Sequence, residues 1–127
     1  MRLKTVTLKN FRCFESLTLD LHPRLTVIVG ENGAGKTAVL DGIASGLTPV
    51  LTHLSSADQR LTGRGIKDAD FRIQSSTGVR GREQWSTADF AQIMSTTWGD
   101  LQWDYWRPSG GGKGKKPAET WGETALK

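Results

Sequence analysis

Eight consecutive residues constrain this chain more than any other feature: Gly30-Glu31-Asn32-Gly33-Ala34-Gly35-Lys36-Thr37. They fit the phosphate-loop pattern G-x-x-x-x-G-K-[ST] in full. Such a loop works between a strand and a helix, so the fold must supply both. Its backbone curves into a nest of N–H groups that face phosphate oxygens. Gly33 and Gly35 permit that curvature and a close approach that a Cβ would block. A helix opening near Lys36 adds its positive end. Lys36 supplies a point charge to the β- and γ-phosphates, and Thr37 a hydroxyl to Mg²⁺.

The flanking sequence has the required pattern. Residues 25–29 are short and almost wholly apolar, as in a strand covered on both faces. After Lys36, Val39, Leu40, Ile43 and Leu47 form a helical stripe. Gly42 and Gly46 interrupt it, each weakening a helix by about 1 kcal/mol relative to Ala. Either they let the helix lie close to a sheet, or they are simply tolerated. Thr48 and Pro49 read as an N-cap and first helical residue, predicting a short helix through Leu54. Two strands are predicted before the loop. In residues 2–9, Val6 and Leu8 share one face. Further on, Leu17, Leu19 and Leu21 alternate with Thr18 and Asp20, and His22-Pro23 ends the run.

Beyond residue 54 the composition changes. Residues 55–127 contain only 9 Leu, Ile, Val and Phe residues, about 12%. That is below the roughly 20% level associated with disorder. Charge is balanced, however, with 10 basic and 8 acidic residues after residue 60. The stretch reads as a surface-forming region without a core of its own. Phe71 to Gln74 predicts a short strand. Residues 91–97 and 101–107 flank Gly99-Asp100 and predict a hairpin. Residues 109–116 are a flexible Gly/Lys loop by composition, and 118–127 read as a helix just beginning. The division expected is therefore 1–54, a phosphate-binding core, and 55–127, a polar side lobe.

Several functions are excluded or disfavoured. Cys13 is the only cysteine, which excludes an intrachain disulfide or a cysteine-based zinc site. His22 and His53 have no ligand cluster around them. The longest apolar run is three residues, so no membrane-spanning helix is expected and a cytoplasmic location is the default. A net charge of +4 permits nucleic-acid contact without implying it. Lys113, Lys115 and Lys116 read first as a solvated loop. The five Trp residues, all in the last 43 positions, read first as packing.

Asn10-Phe11-Arg12 after the first strand, the alternating second strand, the apolar run, the loop and a helix with Leu40-Asp41 together resemble a known family. They look like the amino-terminal part of SMC/RecF/SbcC-type ATPase heads of the ABC superfamily. Similar bacterial "AAA family" ATP-binding proteins include members of anti-phage defence systems. The detailed match covers residues 1–47. It implies an α/β P-loop fold: an ABC/SMC-head-like amino-terminal lobe with an antiparallel β side lobe, and incomplete. It implies ATP and Mg²⁺ as ligands, with Gly30, Glu31, Asn32, Gly33, Ala34, Gly35, Lys36 and Thr37 around the triphosphate and Thr37 on the metal. Arg12 matches an arginine that reaches the nucleotide in such heads; the plainer alternative is a solvated loop arginine. The family's Mg²⁺-contacting Gln has four matches here: Gln74, Gln84, Gln92 and Gln102. Gln74 follows a strand-like stretch and is preferred.

Pieces of the family pattern are missing. No Asp-Glu dipeptide follows an apolar strand. Ser109-Gly110-Gly111 imitates the signature segment but runs into Gly and Lys rather than an apolar helix, and is rejected. The resemblance implies head-to-head pairing, as a homodimer or with a partner, and work on nucleic acid or a defence effector. Two other readings stand beside it. One is a non-catalytic nucleotide-binding module completed by another chain. The other is a small P-loop kinase or GTPase, against which the two strands before the loop argue.

Overall fold

The computed structural model describes residues 2–30, 35–55, 59, 61–77, 83–110, 115–123 and 126. Its centre is a four-stranded antiparallel sheet. Strand β1 (Leu3–Phe11) and strand β2 (Phe14–Asp20) form the first hairpin. Helix α1 (Lys36–Gly46) and helix α2 (Thr48–Leu54) follow. A small hairpin joins β3 (Ile73–Thr77) to β4 (Glu83–Thr87). Then β5 (Phe90–Thr97) and β6 (Gln102–Pro108) return to the main sheet, whose order is β2-β1-β5-β6.

The alternation read from the sequence places the core. Val6 and Leu8 point to one face of β1 and are fully buried. Leu8 pairs with Ile93 of β5 and Val6 with Ser95. Phe11, Ile66, Phe71 and Ala91 complete the buried cluster, with Leu17, Ile43 and Tyr105 packed at its margin. The sheet is thus built from both halves of the chain. Residues 55–127 are poor in Leu, Ile, Val and Phe, yet they supply two of its four strands and bury Ile66, Phe71, Ile93 and Trp103 in its core.

Helix α1 lies on this face, and its glycines explain how closely. A Cβ on Gly42 would sit 2.7 Å from Leu8 Cδ2, and one on Gly46 2.6 Å from Ile93 Cγ2. Both are shorter than any relaxed carbon–carbon contact. Close approach, rather than tolerance, accounts for these two residues. Trp103 Nε1 reaches across from β6 and donates to Gly46 O at 2.8 Å.

The opposite face carries Gln92 and Asp104, both buried. Residues 119–122 cross it. Gln92 Nε2 donates to Asp104 Oδ2 and to Glu119 O, and the N–H groups of Trp121 and Gly122 donate to Asp104 Oδ1.

Three local expectations are corrected. Residues 25–29 form no strand: Leu25, Val27 and Val29 are 72%, 69% and 87% exposed. An extended segment needs a hydrogen-bonding neighbour, and none of the described strands pairs with it. Helix α2 exists, but Leu47 is its N-cap. The Thr48 hydroxyl instead accepts the Gly65 N–H at 2.9 Å. Residues 118–123 are irregular rather than helical, because their backbone is committed to Asp104. Part of the Gly/Lys loop, 111–114, lies outside the described residues.

Candidate nucleotide site

The phosphate-loop sequence opens α1 as expected. Gly35 is the N-cap, with φ +91°, a conformation suited to glycine. The first helical hydrogen bond runs from Val39 N–H to Gly35 O at 2.9 Å. The N–H groups of the helix's first turn have no helical partner, as at every helix start. No acidic side chain lies in that first turn of α1 to cancel its positive field. Lys36 Nζ folds back and donates to Gly30 O, bridging the two ends of the loop. Thr37 is exposed on the first turn. One hydroxyl on an exposed turn fits Mg²⁺, which commonly takes few protein ligands and shares the substrate's phosphates. Glu31, Asn32, Gly33 and Ala34 lie outside the described residues.

The wall beside the loop is the β1–β2 turn. A Cβ on Gly35 would lie 3.0 Å from Phe14 Cζ and 3.3 Å from Cys13 Sγ. Arg12 stands in this turn with φ +52°. Its Nη2 lies 2.8 Å from Asp41 Oδ2 on α1, and its Nε donates to Asp70 Oδ1 at 3.0 Å. Arg12 is therefore an ion-paired residue at the edge of the site rather than a solvated one.

Asp70 is the hub of this cluster and only 1% exposed. Arg64 grips it through two nitrogens, at 2.6 and 3.0 Å, and the Lys67 N–H adds a third bond at 2.9 Å. Arg64 Nη1 also donates to Ser45 Oγ on α1 at 2.7 Å. Burial alone pushes the Asp70 carboxyl upward. The hydrogen bonds from Arg64, Lys67 N–H and Arg12 outweigh it and hold the group at about 2, against an ordinary 3.8. The Arg64 guanidinium is correspondingly raised, chiefly by its hydrogen bond to Asp70.

The four glutamines separate. Gln74 is exposed on β3, where its Oε1 accepts from Arg72 Nη1 at 3.3 Å. Gln92 is buried against Asp104, on the sheet face away from α1. Gln102 is exposed at the far end of β6, opposite Thr96. The side chain of Gln84 is outside the described residues. Sequence reasoning missed Asp41, Arg64 and Asp70 as a group. Asp41 had a signal, five positions past Lys36 on the same helix. Arg64 and Asp70 lie in a polar stretch whose spacing marks nothing.

Among the described residues, no cluster of three or more His, Cys, Asp or Glu could hold a metal ion, and no helix is long and apolar enough to cross a membrane.

A helix that opens at the lysine of a phosphate-loop sequence and packs on a sheet is a feature of P-loop folds. Residues 5–120 match the AAA domain family, and the chain belongs to it. Over 61 residues it is 44% identical to the DNA replication and repair protein RecF of Lactococcus lactis, covering 48% of this chain and 17% of that one. It is 32% identical over 100 residues to the retron Ec83 probable ATPase of Escherichia coli, covering 76% of this chain and 18% of that one. A solved structure from work on ATP-driven dimerization and DNA-stimulated activation of SMC ATPases aligns over 86% of this chain and 71% of the other. Its TM-score is 0.47 and its identity 17%. By its domain family and its RecF and retron relatives, the chain is of the SMC/RecF/SbcC type. It spans about a sixth of the length of the curated relatives it matches.

Proposed function

We propose that this chain binds ATP·Mg²⁺ and forms the phosphate-gripping part of a RecF/SMC-like ATPase. One observation carries the reading. The complete phosphate loop opens α1 with Gly35 in the left-handed conformation and Lys36 already turned toward the loop's other end. Lys36 Nζ exchanges its Gly30 carbonyl for the β- and γ-phosphates. Thr37 holds Mg²⁺, which neutralises phosphate charge when bound. Glu31, Asn32, Gly33 and Ala34 close the loop around the triphosphate. Arg12 lines the site from the β1–β2 turn, and Gln74 is the Mg²⁺-contacting glutamine. This chain's residues bind and orient the nucleotide. The sequence carries no Asp-Glu pair to polarise an attacking water.

Hydrolysis, on this reading, needs a further segment or chain, and the assembled heads pair face to face over ATP. The exposed apolar row Leu25, Val27 and Val29 beside the loop favours such completion. A relative in DNA replication and repair and another in a retron support work in DNA maintenance or in anti-phage defence. The strands before the loop, joined antiparallel, weigh against a small kinase or GTPase.

The test is ATP·Mg²⁺ titration of the chain and of Lys36→Ala. The variant should lose at least about tenfold in affinity, the loss of a charge-assisted contact. Equal affinity in the two proteins would sink the phosphate-loop reading.

A further inference from the structure

Asp70 lies 58 residues from Arg12 in sequence, just before the β3–β4 hairpin. It holds that arginine twice. Its backbone carbonyl accepts the Arg12 N–H at 2.6 Å, and its carboxylate accepts Arg12 Nε at 3.0 Å. The turn so held is an unfavourable one. Arg12 has φ +52°, a value that few non-glycine residues keep unless their surroundings impose it, while Asn10, at +53°, is of a type that tolerates it. The Arg72 N–H adds a bond to Asn10 O at 3.0 Å, so residues 70–72 grip the turn from outside. The far end of Arg12 pairs with Asp41 on α1, and the same turn presses Cys13 and Phe14 against Gly35. Arg64 ties the cluster to α1 a second time through Ser45.

We propose that Asp70 is a positioning residue of the nucleotide site: it fixes the Arg12 turn and, through the Arg12–Asp41 pair, the start of α1, in the arrangement the phosphate loop requires. Asp70 need not touch the nucleotide. The inference rests on the phosphate-loop reading above and adds a residue that the loop sequence does not contain.

The test is ATP·Mg²⁺ affinity of the full chain, read with a fluorescent ATP analogue, in Asp70→Asn, Asp70→Glu, Arg12→Ala, the Arg12→Ala/Asp70→Asn double variant, and Lys36→Ala. Asp70→Asn should weaken binding at least about tenfold, the scale on which hydrogen bonds that orient metal ligands act. Asp70→Glu, which keeps the charge, should recover part of that. In the Arg12→Ala background, Asp70→Asn should cost nothing further. Unchanged affinity in a folded Asp70→Asn protein, or an equal loss in the Arg12→Ala background, overturns the proposal. If circular dichroism shows Asp70→Asn unfolded, Asp41→Asn decides. That residue is partly exposed, and its loss cuts only ion pairs with Arg12 and Arg64. A tenfold loss there supports the proposal and wild-type affinity overturns it. Retained binding in Lys36→Ala refutes the phosphate-loop reading instead, which keeps the two failures apart.

Discussion

Trp103 Nε1 and Gly46 O are 2.8 Å apart, and this hydrogen bond fastens the last strand of the sheet to the end of the helix that begins at the phosphate loop. Trp103 is completely buried, so its indole N–H has no water to fall back on. Trp103→Phe keeps most of the apolar volume and leaves the Gly46 carbonyl without this donor. It should cost about 1–3 kcal/mol, measured by urea denaturation. Trp103→Ala should cost about 3–5 kcal/mol. Equal effects of the two substitutions would mean that the hydrogen bond alone, not packing, sets the contribution.

Gly46→Ala should destabilise the protein, although alanine is the better helix former by about 1 kcal/mol. The new methyl meets Ile93 Cγ2 at 2.6 Å, on a β-branched side chain with little freedom to turn aside. Overpacking of this kind costs about 1–3 kcal/mol. At Gly42 the obstacle is the end of the more pliable Leu8 side chain, so Gly42→Ala should lose less. Thermal melts of both variants rank the two contacts.

Acid should weaken the fold through Asp70. Its carboxyl is held at about 2 in the folded chain, against an ordinary 3.8. Because the folded value is the lower one, the contribution is present in full above about pH 4 and is lost as the pH falls toward 2. It amounts to roughly 2 kcal/mol. Urea midpoints at pH 6, 4 and 2.5 should fall for the parent chain. The same series for Asp70→Asn should be flatter over that interval.

Cys13 offers a reporter of occupancy. Its thiol is exposed and lies against Gly35. Bound ATP·Mg²⁺ should slow its reaction with a thiol reagent severalfold. Lys36→Ala should abolish the protection at the same nucleotide concentration. Reaction rates indifferent to ATP in the parent chain would place the nucleotide away from this wall.

Much of the architecture was legible because it is local. The alternation of Leu17 and Leu19 marks β2, Gly99-Asp100 marks the last hairpin, and the stripe through Val39 and Ile43 marks α1. What escaped depends on partners far away in sequence. Residues 25–29 have the composition of a covered strand, but pairing decides that, and composition does not reveal the partner. Thr48 has the chemistry of a cap, yet a better use for its hydroxyl arrives with Gly65. Residues 118–123 read as the start of a helix and are held irregular by Asp104. Near the candidate site, the start of α1 at Lys36 was legible from the loop sequence. The carboxylates that steady Arg12 were not, since no period links positions 12, 41 and 70.

The position of β1 between β2 and β5 has a consequence for biosynthesis. Thr5 meets Thr96, 91 positions further along the chain. During translation the first hairpin and α1 leave the ribosome long before β5 exists to complete the surface on which that helix lies. Contacts of this range make folding slow and leave apolar surface waiting. The nascent chain therefore carries the phosphate-loop sequence without the full sheet to hold it until β5 and β6 have been made. On the proposed reading, nucleotide capture waits until β5 and β6 have joined the sheet.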